Sequence, residues 1–172
     1  AYKNIVGESA ANDEADWIGI MATRLNAQLL KAVFSDLCPQ PVVYDPTAVG
    51  QFVGQVLIAA GWKPGFSTDN DAVLLAGRFS ATQVINLSNI EKVYTDDPKK
   101  NPNAQPIDRI SWENFIQMVG TEWVPGKNVP FDPVASVRAQ KAGIQVICAG
   151  GTDLDNLDNI LHDRPFKGTT IG

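Results

Sequence analysis

The sequence predicts an α/β protein whose mainly parallel sheet is covered by helices on both faces. Three short apolar runs, Val56–Ala60, Gln83–Leu87 and Ile144–Cys148, read as strands buried on both sides. Helical segments with recognisable start and stop residues alternate with them, the pattern of a doubly covered sheet. The chain has 172 residues, about one domain at the usual ~100–200 residues each. No internal repeat, low-complexity tract or composition break marks a second one.

Trp17, Met21, Leu25, Leu29 and Val33 recur four apart, with Ile18, Ala22 and Leu30 beside them. This predicts a helix over Trp17–Phe34 with that stripe inward and Lys31 and Asp36 outward. Pro39 and Pro41 end it, Pro41–Tyr44 is a short strand candidate, and Asp45-Pro46-Thr47 turns the chain. Gly61 closes the run Val56–Ala60. Thr68 opens a helix over Ala72–Phe79 with capping-box-like spacing. Ser111 opens Trp112–Val119, and Gly120 closes it. Asp132 followed by Pro133 is an N-cap with proline at the first helical position, for a helix ending at Gly143. Thr152 opens Asp153–Leu161, and Gly168–Ile171 adds a last strand.

Composition narrows the function classes. Fourteen Lys and Arg stand against nineteen Asp and Glu, a net charge of −5, without a basic cluster. That argues against general nucleic-acid binding, so any phosphate is held by backbone N–H groups and a few placed side chains. Two cysteines, Cys38 and Cys148, lie far apart in apolar stretches. They read as buried thiols in a reducing compartment, too few for a disulfide scaffold or a cysteine zinc site. The one histidine, His162, sits at a polar helix end and reads as a solvated C-terminal cation. No apolar run approaches the ~18 residues of a membrane span, and the opening Ala1-Tyr2-Lys3-Asn4 does not read as a signal peptide.

In such a sheet ligands sit on the loops beyond the carboxyl ends of the strands. Gly61–Asp71 combines two glycines, Lys63, the hydroxyls of Ser67 and Thr68, and a helix start suited to an anion. Asp69 and Asp71 beside it suit a Mg²⁺–nucleotide or phosphoryl-transfer site. The same residues also describe a tight turn before a well-capped helix. Ser88–Pro102 is long and polar, with Tyr94 placed to cover a planar ring and Asp97 and Lys99 to meet ribose or phosphate. It reads equally as a solvent loop. In Gly126–Pro133, Asp132 is an N-cap first and a site residue only if its helix points into the same cleft. Neither Gly-x-x-x-x-Gly-Lys-Ser/Thr nor Gly-x-Gly-x-x-Gly occurs, which leaves Walker-type enzymes, protein kinases and Rossmann dehydrogenases without support.

In this order the loops resemble those of the amino acid kinase family, most closely its archaeal-type UMP kinase branch. Asp16-Trp-Ile-Gly19-Ile-Met-Ala-Thr23-Arg-Leu-Asn26 resembles the Asp-x-x-Gly helix that meets the acceptor nucleotide. Pro64-Gly-Phe-Ser67-Thr68-Asp69 resembles the Thr-Thr-Asp segment beside the transferring phosphate. Asn89-Ile-Glu-Lys-Val-Tyr94-Thr-Asp-Asp97-Pro98-Lys99 resembles the signature that holds ATP. Phe131-Asp132-Pro-Val-Ala135 resembles the segment whose aspartate organises the active-site cations, and Phe166–Ile171 the last strand. Glu91-Lys92 replaces the usual Asp-Gly turn, Ser67 replaces a threonine, and the family's two early Gly-rich loops do not occur.

The resemblance implies a carbamate kinase-like fold, N-terminally incomplete. Residues 1–60 would be the remainder of the acceptor half, with Ala1–Ala11 the helix after the second Gly-rich loop, and 61–172 the ATP half. It implies ATP γ-phosphoryl transfer to UMP with Mg²⁺ bridging phosphate oxygens. Asp16, Gly19, Thr23, Asn26 and Ser67 would receive UMP; Asn89, Tyr94, Asp97, Pro98 and Lys99 would hold ATP. Thr68, Asp69 and Asp132 would be catalytic, with no protein metal ligand. It further implies a cytoplasmic homo-oligomer, typically a hexamer, and weak or no transfer by this chain alone. Alternatives are a kinase for another small acid, or a non-catalytic nucleotide-binding or storage member.

Overall fold

The structure, a computed structural model, describes Ile5, residues 12–122 and residues 129–172. The expected helix at Ala1–Ala11, apart from Ile5, and the segment Gly126–Asn128 lie outside the described residues. The chain forms two compact units, Ala1–Phe79 and Ser80–Gly172.

The first unit is built on helix α1, Asn12–Val33. Its expected orientation is reversed. Trp17, Met21, Leu25, Leu29 and Val33 are exposed, Leu25 by 73%. The inward face is instead Ile20, Thr23, Arg24, Ala27 and Lys31, again at three- and four-residue steps. Small and polar residues win that face because the neighbouring backbone needs partners. Lys31, expected outside, is half-buried, and its Nζ donates to the Cys38 carbonyl at 3.2 Å. Ala27 packs with Cys38, Val42 and Ile58. The strands expected at Pro41–Tyr44 and Val56–Ala60 reduce to one parallel bridge, Val43 with Ala59. Val43 N–H donates to Ile58 O, and Ala60 N–H to Val43 O, both at 2.9 Å. Pro41 has no N–H to offer, and the Asp45-Pro46 turn ends the pairing. Helix α2, Thr68–Arg78, starts earlier than expected, capped by Ser67; the Ser67 hydroxyl accepts from Asn70 N–H at 3.2 Å.

The second unit carries a four-stranded sheet in the order β1 (Gln83–Ser88), β5 (Gln145–Gly150), β6 (Thr169–Ile171), β4 (Arg109–Ile110). Within this sheet β1 pairs with β5 and β4 with β6 in parallel, and β5 pairs with β6 antiparallel. β5 is buried on both faces as expected, whereas β1, at one end of this order, is half-buried. A two-stranded antiparallel ribbon, β2 (Val93–Tyr94) with β3 (Pro106–Ile107), organises the segment read as a loop. Thr169 Oγ1 ties it to the sheet, accepting from Val93 N–H at 2.8 Å and donating to Ile107 O at 2.5 Å.

Helices α3 (Trp112–Val119) and α4 (Pro133–Ala142) match their expected caps: Ser111 and Gly120, Asp132 and left-handed Gly143. Helix α5, Leu154–Leu161, is capped by Asp153 rather than Thr152. Its Ile160 packs on Ile147 and Ala149, while Val146 and Cys148 on the opposite face of β5 are equally buried. Both cysteines are buried, and neither is in a disulfide. His162 caps the C-terminal end of α5, exposed, with Nδ1 2.9 Å from the Asp158 carbonyl.

Candidate active site

In the first unit the expected phosphate-side segment, Gly61–Asp71, is tied at both ends. Gly61 N–H donates to Thr23 Oγ1 at 2.9 Å, and that hydroxyl donates to Ile20 O at 2.7 Å. Arg24 donates from Nε to Gly61 O at 3.2 Å and from Nη2 to Trp62 O at 2.8 Å. Its guanidinium also lies 4.3 Å from the Tyr44 ring centre. Gly65, in a left-handed turn at φ 79° that disfavours a side chain, donates its N–H to Asp16 Oδ2 at 3.1 Å. Lys63 lies over the Trp62 ring, its Nζ 3.9 Å from the centroid.

Gly61 permits close approach, but to α1 rather than to a ligand. A Cβ there meets Thr23 Oγ1 at 3.0 Å and Ile20 Cγ1 at 3.3 Å. Gly61→Ala is therefore expected to destabilise the first unit by about 1–3 kcal/mol. Urea denaturation checks this, and an unchanged midpoint would show that α1 yields freely.

Asp71, on the first turns of α2, is buried at 4% exposure. Its Oδ2 accepts from Trp62 N–H at 3.1 Å, while Oδ1 is buried without a hydrogen-bond partner among the described residues. Burial pushes the carboxyl up to about 6, against the Trp62 bond, and the charge of Asp45 adds to the rise. Asp45 stays ionised because the Thr47 hydroxyl and amide hold it below the usual carboxylate range.

The linkage has a definite sign. A folded value near 6, above the ordinary 3.8, favours the protonated form in the fold. Stability from this group is complete below about 3.8 and lost as pH rises through 6. Asp71→Asn is thus expected to gain roughly 1–3 kcal/mol over the parent at pH 8 and little at pH 4. Paired urea titrations at the two pH values check it; equal gains at both would remove the titration.

In the second unit the resembling ATP segment follows the carboxyl end of β1. Without the Asp-Gly pair, the turn is held by Ser88 Oγ, which accepts from Ile90 N–H at 3.2 Å. Glu91 meets Lys167 Nζ at 2.6 Å, and that bond raises the lysine above its ordinary range. Lys92 pairs with Asp108. Asn89 is exposed and Tyr94, in β2, half-buried. Asp97 shapes the turn after them: Oδ1 accepts from Lys99 N–H at 2.9 Å, and its carbonyl from Asn101 N–H at 2.8 Å. Asn101 Nδ2 donates to Asp96 at 2.9 Å and holds that carboxyl below its usual range. Pro98 and Lys99 are exposed at the tip.

Asp132 is buried, with Oδ1 accepting from Ala135 N–H at 2.7 Å and its carbonyl from the Ser136 hydroxyl at 2.8 Å. It is the N-cap the sequence indicated. From the sequence, Thr152 opens the helix Asp153–Leu161, and the Gly150-Gly151 pair ahead of it has no expected role. That pair lies beside the segment that resembles the ATP loop, because β1 and β5 are parallel neighbours. Gly151 N–H donates to Ser88 O at 2.7 Å, and a Cβ on Gly150 would meet Glu91 at 3.7 Å. A Gly-Gly pair after a buried strand was the available signal. Arg24, also missed, gives none beyond its place on α1.

Asp16, Gly19, Thr23 and Asn26 share one face of α1; Asp16, Gly19 and Asn26 are exposed, and Thr23 is committed to Gly61. Ser67 is committed to its cap, and Thr68 is exposed at the helix start. Among the described residues no three His, Cys, Asp or Glu side chains gather as a metal cage.

Comparison with known proteins extends over nearly the whole chain. The sequence pattern of the amino acid kinase family matches residues 3–150. Uridylate kinase of Pyrococcus abyssi is 31% identical over 174 residues, covering 99% of this chain and 77% of that protein. Uridylate kinase of Methanocorpusculum labreanum is 32% identical over 176 residues, covering 100% and 73%. The crystal structure of uridylate kinase from Archaeoglobus fulgidus superposes with a TM-score of 0.81 at 30% identity, covering 99% of this chain and 76% of that one.

Proposed function

The chain belongs to the amino acid kinase family, and from that premise we propose that it transfers the γ-phosphoryl group of ATP to UMP, giving UDP and ADP. The observation that carries this reading is its likeness to archaeal uridylate kinases over the full length of the chain. Such transfer needs positioning and charge stabilisation more than covalent help.

The exposed α1 residues Asp16, Gly19 and Asn26 would meet the acceptor, while Thr23 acts on it through Gly61. Ser67 caps α2; the start of that helix and the Thr68 hydroxyl would face the phosphate in transit, with Asp69 beside them. Asn89, Tyr94, Pro98 and Lys99 would hold ATP, with Asp97 fixing the turn that presents them. Asp132 would orient the cationic groups. Mg²⁺ would be carried by the nucleotide phosphates and would offset their charge. In this division residues 1–60 serve the acceptor and 61–172 serve ATP.

The exposed row Trp17, Met21, Leu25 and Leu29 supports self-association through α1, because a contiguous apolar face of this kind is costly in water. Among the described residues no helix is long and apolar enough to cross a membrane; the same reading places the protein in the cytoplasm. ADP release assayed across UMP, glutamate, acetylglutamate, aspartate, carbamate and isopentenyl phosphate tests the acceptor. UMP is expected to lead. Preference for another acceptor overturns the choice, and ATP binding without transfer to any supports a non-catalytic member.

A further inference from the structure

Among the described residues, four side chains hold the segment from Gly61 to Gly65: Thr23, Arg24 and Asp16 from α1, and Asp71 from α2. The three from α1 tie the loop to a helix that precedes it. Asp71 alone among them ties the loop forward, to the helix whose first residues are Thr68 and Asp69. A carboxylate with one buried oxygen left unpartnered burdens the fold. Its contribution must come from what the other oxygen holds, the Trp62 N–H.

We propose that Asp71 is a positioning residue for phosphoryl transfer, clamping the Trp62–Gly65 turn to the first turns of α2 so that Thr68 and Asp69 are presented as one rigid body with the loop. This rests on the reading of that segment as the phosphate side of the site. Asp71 itself does not touch substrate. With the clamp closed, the Gly65–Asp16 bond at one end and the Ser67 cap at the other are fixed relative to each other. With it open, the Thr68 hydroxyl loses its placement, and misplacement of about 1 Å costs on the order of 10²-fold in rate.

Two variants separate the roles of the residue. Asp71→Asn keeps an oxygen for the Trp62 N–H; Asp71→Val keeps the volume and removes the acceptor. Amide hydrogen exchange and steady-state kinetics with ATP and UMP are measured on both variants and on the parent chain. Asp71→Val is expected to speed exchange at Trp62, Gly65, Thr68 and Asp69 together by about tenfold or more. Its kcat falls on the order of 10²-fold while KM for ATP changes little, and Asp71→Asn restores both. Unchanged exchange in Asp71→Val overturns the clamp. Faster exchange confined to Trp62, with kcat intact, overturns its positioning role. Loss of kcat in Asp71→Asn with exchange still slow also overturns it, since the charge rather than the bond would then matter. If Asp71→Val does not fold, the parent in low urea decides: one shared opening for the four amides is expected, and separate openings contradict the clamp. Absence of transfer by the parent counts against UMP kinase activity, while the exchange measurements still decide the clamp.

Discussion

Asp132→Asn is expected to leave the fold intact and to lower phosphoryl transfer by about 10²-fold or more, the scale on which removing one electrostatic group acts. The two roles of Asp132 divide cleanly in this substitution. As an N-cap it needs only an oxygen for Ala135 N–H, now 2.7 Å away, and asparagine caps about as well as aspartate. Stability should therefore stay within about 0.5 kcal/mol of the parent. In its proposed role as an organiser of cationic groups it would need its charge, which asparagine lacks. Asp132→Ala loses both and should also cost about 0.5–2 kcal/mol in stability. Kinetics with ATP and UMP beside urea denaturation read the two effects separately. Full turnover by Asp132→Asn would leave Asp132 a cap and nothing more.

Phe115→Ala is expected to have the largest effect on stability. Helix α3 turns Trp112, Phe115 and Val119 inward, and Phe115 is fully buried at 0% exposure. Its ring stands edge-on to Trp112 at 6.1 Å, and Trp112 in turn donates Nε1–H to Ile144 O at 3.1 Å. Truncation leaves a cavity beneath that pair and should cost about 3–5 kcal/mol. Against a total of about 5–15 kcal/mol for a domain, the second unit should be marginal. A urea transition of that unit displaced by less than ~1 kcal/mol would show that the helix collapses into the space.

Helix ends were the most legible part of the chain. Ser111 and Gly120, Asp132 and Gly143 bound the helices they were read to bound, because caps are local chemistry between near neighbours. The doubly buried β5 was legible for a similar reason: a continuous apolar run has few alternatives. Long-range demands were not legible. The apolar stripe of α1 faces outward because Thr23, Arg24 and Lys31 are needed inward, by carbonyl and amide groups 7 to 38 residues away. The ribbon of Val93–Tyr94 with Pro106–Ile107 depends on Thr169, 76 residues beyond Val93. For the site, sequence found Asp71 as an odd acid in a phosphate-like loop. Only the structure shows it gripping Trp62 with one oxygen buried and unpartnered.

The most direct measurement is phosphorus NMR of ATP, UMP and Mg²⁺ with purified protein whose intact mass has been determined. UDP and ADP should appear in equal amounts. ADP with inorganic phosphate and no UDP would contradict a UMP kinase.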